Sequence, residues 1–291
     1  MKVSVNAYAK INLFLDIESL RADGYHNIIS HMQSITLHDT VAVEHEESVD
    51  REITVFCDNS ELPCDNNNLA YKAADIFPAE IGKVKIEITK RIPMSAGLAG
   101  GSADAAATLI AINTLLGNPL TQEELKMLGC RLGADVPFCI EKGACIARGV
   151  GEILEKTQAM PEYPIVIARM GEGMSTPYAY KALDQKHNRF REYVPNTDKL
   201  YILTDCKEKP IEEYSKGLFN IFEEVVEAER PDVTKLKELL VNNGAITSMM
   251  SGSGTAVFGI FKNKEEANKA KDSALLIGAY ASVCYPYSKE K

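Results

Sequence analysis

The sequence predicts a mixed chain of strands and helices in two halves, an α+β organisation, and three observations lead to it. Val3–Ala9 and then Lys10–Ile17 alternate with a period of two, the spacing of a half-buried strand. A small-residue segment, Ile92 to Ser102, runs directly into the alanine-rich stretch Ala103–Leu116, which reads as a helix closed by Gly117-Asn118-Pro119. Pro161 and Pro164 then flank a boundary, after which Ile165–Ala168 opens the second half as a strand. The boundary divides the chain into residues 1–160 and 161–291.

Between those landmarks the elements follow in order. Arg21–Tyr25 carries an Asp-Gly turn signal, Thr40–His45 and Glu52–Cys57 read as strands, and Leu69–Ile76 reads as a short helix ahead of a strand at Val84–Thr89. Thr121 and Glu124 form a capping box, so the next helix starts there and runs to about Gly133. Ala144–Arg148 returns to strand. In the second half Pro177–Leu183 and Val233–Asn242 read as helices, and Ala256–Phe261 as a strand.

Composition narrows the function. The chain has 291 residues, enough to bury a core without a disulfide or metal staple, and 45% hydrophobic with 25% charged residues is ordinary for a globular protein. A net charge of −9 argues against a general nucleic-acid binder, yet leaves small anionic ligands open. No apolar run approaches the ~18–20 residues of a membrane span, and the N-terminus lacks the apolar region of a signal peptide. The seven cysteines (Cys57, Cys64, Cys130, Cys139, Cys145, Cys206 and Cys284) never form Cys-x-x-Cys, so reduced thiols in a cytoplasm are expected and no zinc site is.

The strongest chemical signal is the loop Pro93-Met94-Ser95-Ala96-Gly97-Leu98-Ala99-Gly100-Gly101-Ser102-Ala103 feeding a helix. A helix start exposes unpaired N–H groups and a partial positive charge, and glycines let the backbone approach an anion closely. A phosphate cradle is the favoured reading over tight packing of small residues. It is neither a Walker loop, since no Gly-Lys-Ser/Thr follows, nor a Gly-x-Gly-x-x-Gly fingerprint. Asp135, in Gly133-Ala134-Asp135-Val136-Pro137-Phe138, is a candidate proton acceptor, although alone it reads better as a helix N-cap. Lys10 sits in the alternating strand on one face with Asn12; taken alone it points outward, but buried beside a carboxylate it would hold that group ionised. A second glycine–serine loop, Met250–Thr255, serves equally as a strand-entry turn or as part of a site. His31, His38 and His45 recur every seven residues, an odd spacing that alternates faces along a strand; with turns expected between them, they read as solvated or capping residues rather than metal ligands.

Taken in order, Ala9–Leu13, Pro93–Ala107 and Met250–Phe258 resemble the three motifs of the superfamily of galactokinase, homoserine kinase, mevalonate kinase and phosphomevalonate kinase, over essentially the whole chain. Within it, Ala9–Leu15, Arg21-Ala22-Asp23-Gly24-Tyr25-His26, Gly133–Phe138 and Gly149-Val150-Gly151-Glu152 resemble the family of 4-diphosphocytidyl-2-C-methyl-D-erythritol kinases of non-mevalonate isoprenoid synthesis. The Asp-Gly-Tyr-His stretch discriminates most. Ala103 stands where that family commonly has a second serine, and Ala99 where it often has glycine.

The resemblance implies a two-domain small-molecule kinase fold, ATP-binding and catalytic before residue 160 and substrate-side after it, with the active site in the cleft. It implies Asp135 as the base for the substrate's 2-hydroxyl, and Lys10 as the group that keeps Asp135 ionised and offsets γ-phosphoryl charge. Pro93–Ala103 would cradle ATP with Mg²⁺ on its phosphates, and Asn68 would line the adenine pocket. Tyr25 and Tyr180 would stack on the cytosine of a cytidine diphosphate substrate, His26 would bond its edge, and Asn12 would contact substrate nearby. Two other readings stay in view: a relative acting on another alcohol, against which Tyr25 and His26 count, and a non-catalytic nucleotide-binding regulator, against which Lys10 and Asp135 together count.

Overall fold

The alternation at the N-terminus passes through Ala9-Lys10 without a turn residue, and in the computed structural model it forms one strand, β1 (Lys2–Leu20), rather than two. The structure describes residues 1–204 and 210–288; Cys206 lies outside them, and the other six cysteines form no disulfide. After the Asp23-Gly24 turn comes β2 (His26–Glu46), far longer than its readable part, Thr40–His45. Then follow β3 (Glu52–Cys57), α1 (Leu69–Asp75), β4 (Lys83–Thr89), α2 (Gly100–Leu115), α3 (Gln122–Cys130), α4 (Val136–Glu141), β5 (Ala144–Arg148) and β6 (Ile153–Lys156). The remainder comprises β7 (Ile165–Arg169), α5 (Thr176–Lys186), α6 (Thr197–Thr204), α7 (Ile211–Tyr214), β8 (Phe219–Asn220), α8 (Glu223–Glu229), α9 (Pro231–Asn242), β9 (Thr247–Met250), β10 (Val257–Ile260), α10 (Lys264–Leu276) and β11 (Tyr280–Cys284).

The chain forms two compact units that interleave in sequence. One comprises Met1–Ala9, His38–Ile92 and Ala99–Lys142; the other comprises Lys10–Leu37, Pro93–Leu98 and Gly143–Lys291. In the first, Thr40–Glu46 of β2 pairs antiparallel with β4, and β3 runs parallel to β4. Helices α1, α3 and α4 pack on α2. The capping box at Thr121 forms as read, but α3 ends at Cys130, three residues before the expected Gly133. In the second unit, β5 pairs with Ser30–Gln33 of β2 and with β6, while β8 joins Phe14–Leu15 of β1 in parallel. A separate four-stranded antiparallel sheet, in the order β11-β7-β10-β9, carries α9 and α10.

The histidines depart from expectation. No turn separates His31, His38 and His45, because β2 runs unbroken through all three. His31 is fully buried rather than solvated or capping. Neither of its ring nitrogens has a hydrogen-bond partner. Burial pushes its pKa from 6.5 down to about 4, and the neighbouring Gln158 backbone offsets this only in part, without reaching hydrogen-bond geometry to the ring. Because the unfolded chain binds the proton first, stability is lost as pH falls from about 6.5 toward 4. Each tenfold difference in proton affinity between the folded and unfolded chain is about 1.4 kcal/mol, so this group alone makes the fold roughly 2 kcal/mol less stable at pH 5 than at pH 7. Urea unfolding of His31→Leu at both pH values is expected to show that much less acid sensitivity than the parent. Equal sensitivity would exclude His31 as a source.

Candidate active site

The glycine-rich loop divides between the two units, and each half has its own local chemistry. In the first unit, α2 starts at Gly100, three residues earlier than the expected Ala103, because Ala99 adopts a left-handed conformation (φ 57°) and turns the chain into the helix. No side chain caps this end. The N–H groups of its first turn therefore remain available, as an anion site at a helix start requires. Below it, Lys90 Nζ donates to Asp39 and, at 2.8 Å, to Asp104. Asp39 also accepts from the backbone N–H groups of Arg91 and Ile92 and so fixes the approach to the loop. Burial, together with the neighbouring carboxylate of Asp39, pushes the Asp104 carboxyl up to about 7 despite Lys90. Gly100 serves packing: a Cβ there would meet Ile92 and the Lys90 ammonium.

Asp135 occupies the N-cap position of α4 but makes no capping bond. The position matches the structural reading and the side chain does not perform that role. Asn68 is the N-cap of α1: its Oδ1 accepts from Ala70 N at 2.8 Å and its Nδ2 donates to the Pro63 carbonyl at 2.7 Å. With both ends of the amide engaged, it contributes shape rather than a free hydrogen bond.

In the second unit, Lys10 is only 4% exposed, so its side chain turns inward instead of snorkelling. Its Nζ donates to Asn12 Oδ1 at 2.6 Å; Asn12 Nδ2 donates to Ser30 Oγ at 2.8 Å, and Ser30 Oγ to the Phe14 carbonyl at 2.7 Å. This chain of bonds aims the ammonium. The loop Met250–Thr255, left open by the sequence, belongs here. Ser251 Oγ accepts from Asn12 N at 3.3 Å and donates to the Gly97 carbonyl at 3.1 Å. Asn220 Nδ2 holds the same loop through the Met250 and Gly252 carbonyls, each at 2.8 Å. Gly97 (φ 75°) and Gly252 (φ 60°) lie against each other, and a Cβ on either would strike the other loop's backbone. At Gly97, then, the packing reading holds.

Tyr25, on the turn, is 66% exposed. His26 is buried, its Nε2 lying 2.8 Å from Asp184 Oδ1, and Tyr180 stacks on its ring at 4.9 Å. Among the described residues, no group of three or more His, Cys, Asp or Glu gathers to hold a metal ion. No helix among them is long and apolar enough to cross a membrane.

Comparison with known proteins gives this chemistry a family. The profile of the GHMP kinases N terminal domain matches residues 68–143, and that of the GHMP kinases C terminal matches residues 202–275. The chain is 43% identical to the 4-diphosphocytidyl-2-C-methyl-D-erythritol kinase of Caldicellulosiruptor saccharolyticus, over 92% of this chain and 91% of that one. The chain belongs to the 4-diphosphocytidyl-2-C-methyl-D-erythritol kinase family. The same-named enzyme of Alkaliphilus metalliredigens is 39% identical over 100% of this chain and 98% of its own. A crystal structure titled as a 4-(cytidine 5'-diphospho)-2C-methyl-D-erythritol kinase superposes with a TM-score of 0.78 at 30% identity, covering 98% of this chain and 100% of that one. The two-domain α+β kinase fold expected of this family is therefore present.

Three features of this family member went unread in the sequence. Asp104 carried a signal: the lone charged residue of an alanine-rich helix needs a partner when that helix is buried. Asn220 carried none, since it lies far along the chain from the loop it ties. Asp184 carried none either: the expected helix stopped at Leu183, whereas α5 runs on to Lys186 and places Asp184 four residues after Tyr180 on the same face.

Proposed function

We propose that the chain transfers the γ-phosphoryl group of ATP to the 2-hydroxyl of 4-diphosphocytidyl-2-C-methyl-D-erythritol. That the chain is an ATP-dependent small-molecule kinase of isoprenoid biosynthesis follows from its family; the acceptor hydroxyl and the residue roles are our reading. The carrying observation is the 43% identity to a kinase of that name over 92% of the chain. Local geometry supports the roles. Asp135 acts as the base, taking the hydroxyl proton as the oxygen attacks. Lys10, aimed by Asn12, offsets charge on the transferring phosphoryl group. Asn12 thus acts through Lys10, both ends of its amide being engaged within the protein.

ATP would lie with its phosphates at the uncapped start of α2, along Pro93–Ala103, and Asn68 would shape the adenine pocket. Mg²⁺ bound with the nucleotide would spread charge over its phosphates, a setting in which the phosphates themselves supply much of the coordination. Buried Ala103 supplies no side-chain oxygen there, which leaves Ser95 and Ser102 as the loop's own donors.

The exposed Tyr25 and the stacked pair His26–Tyr180 form the cytidine end in this reading. Base–aromatic stacking contributes roughly 1–3 kcal/mol, so Tyr25→Ala is expected to raise KM for the cytidyl substrate about 5- to 150-fold. KM for ATP should not move, and Tyr25→Phe should cost much less because the ring face remains. Steady-state kinetics on both substrates decide the matter: equal effects on ATP and on the cytidyl substrate would contradict stacking.

A further inference from the structure

His26 begins β2 with its ring held on three sides. Tyr180 stacks on one face at 4.9 Å and 23°, Phe190 meets the ring edge-on at 5.6 Å and 78°, and Asp184 Oδ1 lies 2.8 Å from Nε2. Tyr180 and Asp184 are four residues apart on α5 and share a helix face, so one element supplies both the stacking ring and the carboxylate. A carboxylate can only accept; Nε2 therefore carries the hydrogen, and in the neutral ring Nδ1 is left as a lone-pair acceptor. Among the described residues Nδ1 makes no hydrogen bond, and it is not one of the buried polar atoms left without a partner, so it opens to solvent.

A fixed acceptor beside an aromatic platform distinguishes pyrimidines. Cytosine presents an amine donor where uracil-type bases present a carbonyl acceptor. We propose that Asp184 is a specificity-positioning residue: it locks His26 with its proton on Nε2, so that Nδ1 accepts from the amine of a cytosine base and rejects uracil. The inference rests on the reading above that His26 meets the base edge. An asparagine at this position can offer Nε2 either its carbonyl or its amide N–H, which releases the lock.

The test combines nitrogen-15 NMR of histidine-labelled protein with kinetics on the cytidine diphosphate substrate and its uridine analogue. In the parent, the His26 resonances, identified by their loss in His26→Ala, should show a protonated Nε2 and an unprotonated Nδ1. In Asp184→Asn that pattern should blur. The preference for cytidine over uridine in kcat/KM should fall about 10-fold, the size expected when a recognition hydrogen bond becomes unreliable, with KM for ATP unchanged. Asp184→Glu, which keeps a carboxylate on the same helix face, should retain most of the preference. A proton on Nδ1 in the parent would overturn the proposal. So would an unchanged preference in Asp184→Asn while His26→Ala lowers it. If His26→Ala itself leaves the preference intact, the base-edge reading fails and takes this inference with it.

Discussion

Asp135→Asn is expected to lower kcat by about 10²–10⁴-fold, the usual cost of losing a general base, while ATP affinity should stay close to the parent's. The substitution is nearly isosteric, and in the structure Asp135 makes no capping bond for α4 that the change would remove. A parent-like melting temperature would separate this outcome from a folding defect. Single-turnover rates with saturating nucleotide, alongside calorimetric ATP binding and a thermal melt, provide the three readings. A variant retaining more than half the parent kcat would remove Asp135 from the role of base.

Lys10→Met should be nearly as damaging. Removing one preorganised charge from a reacting centre typically costs about 10²–10³-fold in kcat. Methionine keeps the length of the buried stem but leaves Asn12 Oδ1 without the ammonium that now lies 2.6 Å away. A buried acceptor left unpaired costs about 1–3 kcal/mol, so this variant should also melt at lower temperature. The combination of slow chemistry and lost stability would mark a residue with a part in the reaction that is also built into a bonded chain from Phe14 to Lys10. A stable variant with parent-like kcat would contradict both parts.

Much of this was legible because local rules are strong where the chain is regular. Glu52–Cys57 and Ala144–Arg148 form strands with the boundaries read from alternation and apolar runs, and the Thr121–Glu124 capping box forms as its spacing requires. Sequence misleads where tertiary context overrides a local preference. Lys10 alone looks like a surface lysine; it turns inward because Asn12 of its own strand, itself held by Ser30 of β2, provides a polar partner. The stretch His26–Asp39 lacks a clean period of two because β2 is buried along most of that length, so apolar residues fall on both of its faces. The helix start at Gly100 was hidden because glycine is a poor helix former, and only the left-handed turn at Ala99 sets the chain direction there.

The same contrast separates the two glycine loops. Composition pointed to Pro93–Ala103 as an anion cradle, and the uncapped N-terminus of α2 is consistent with that use. Yet Gly97 is required by the close approach of Gly252 and Ser251, and Gly100 by Ile92 and Lys90. Glycine enrichment thus carries two messages, room for a ligand and room for neighbouring backbone, and sequence alone does not apportion them. Second partners drawn from distant parts of the chain, such as Asn220 for the Met250–Thr255 loop and Asp184 for His26, have no local signature at all.

The central claim is a phosphoryl transfer to one hydroxyl of one substrate, and identification of the product tests it most directly. The purified protein would be incubated with magnesium and ATP, in parallel with 4-diphosphocytidyl-2-C-methyl-D-erythritol, homoserine and mevalonate, and the products read by mass spectrometry and by phosphorus NMR coupled to carbon. The account predicts a gain of one phosphate on the cytidyl substrate alone, with the new phosphomonoester coupled to C2 and ADP formed in equal amount. Phosphate on a different hydroxyl, or comparable turnover of homoserine or mevalonate, would contradict it.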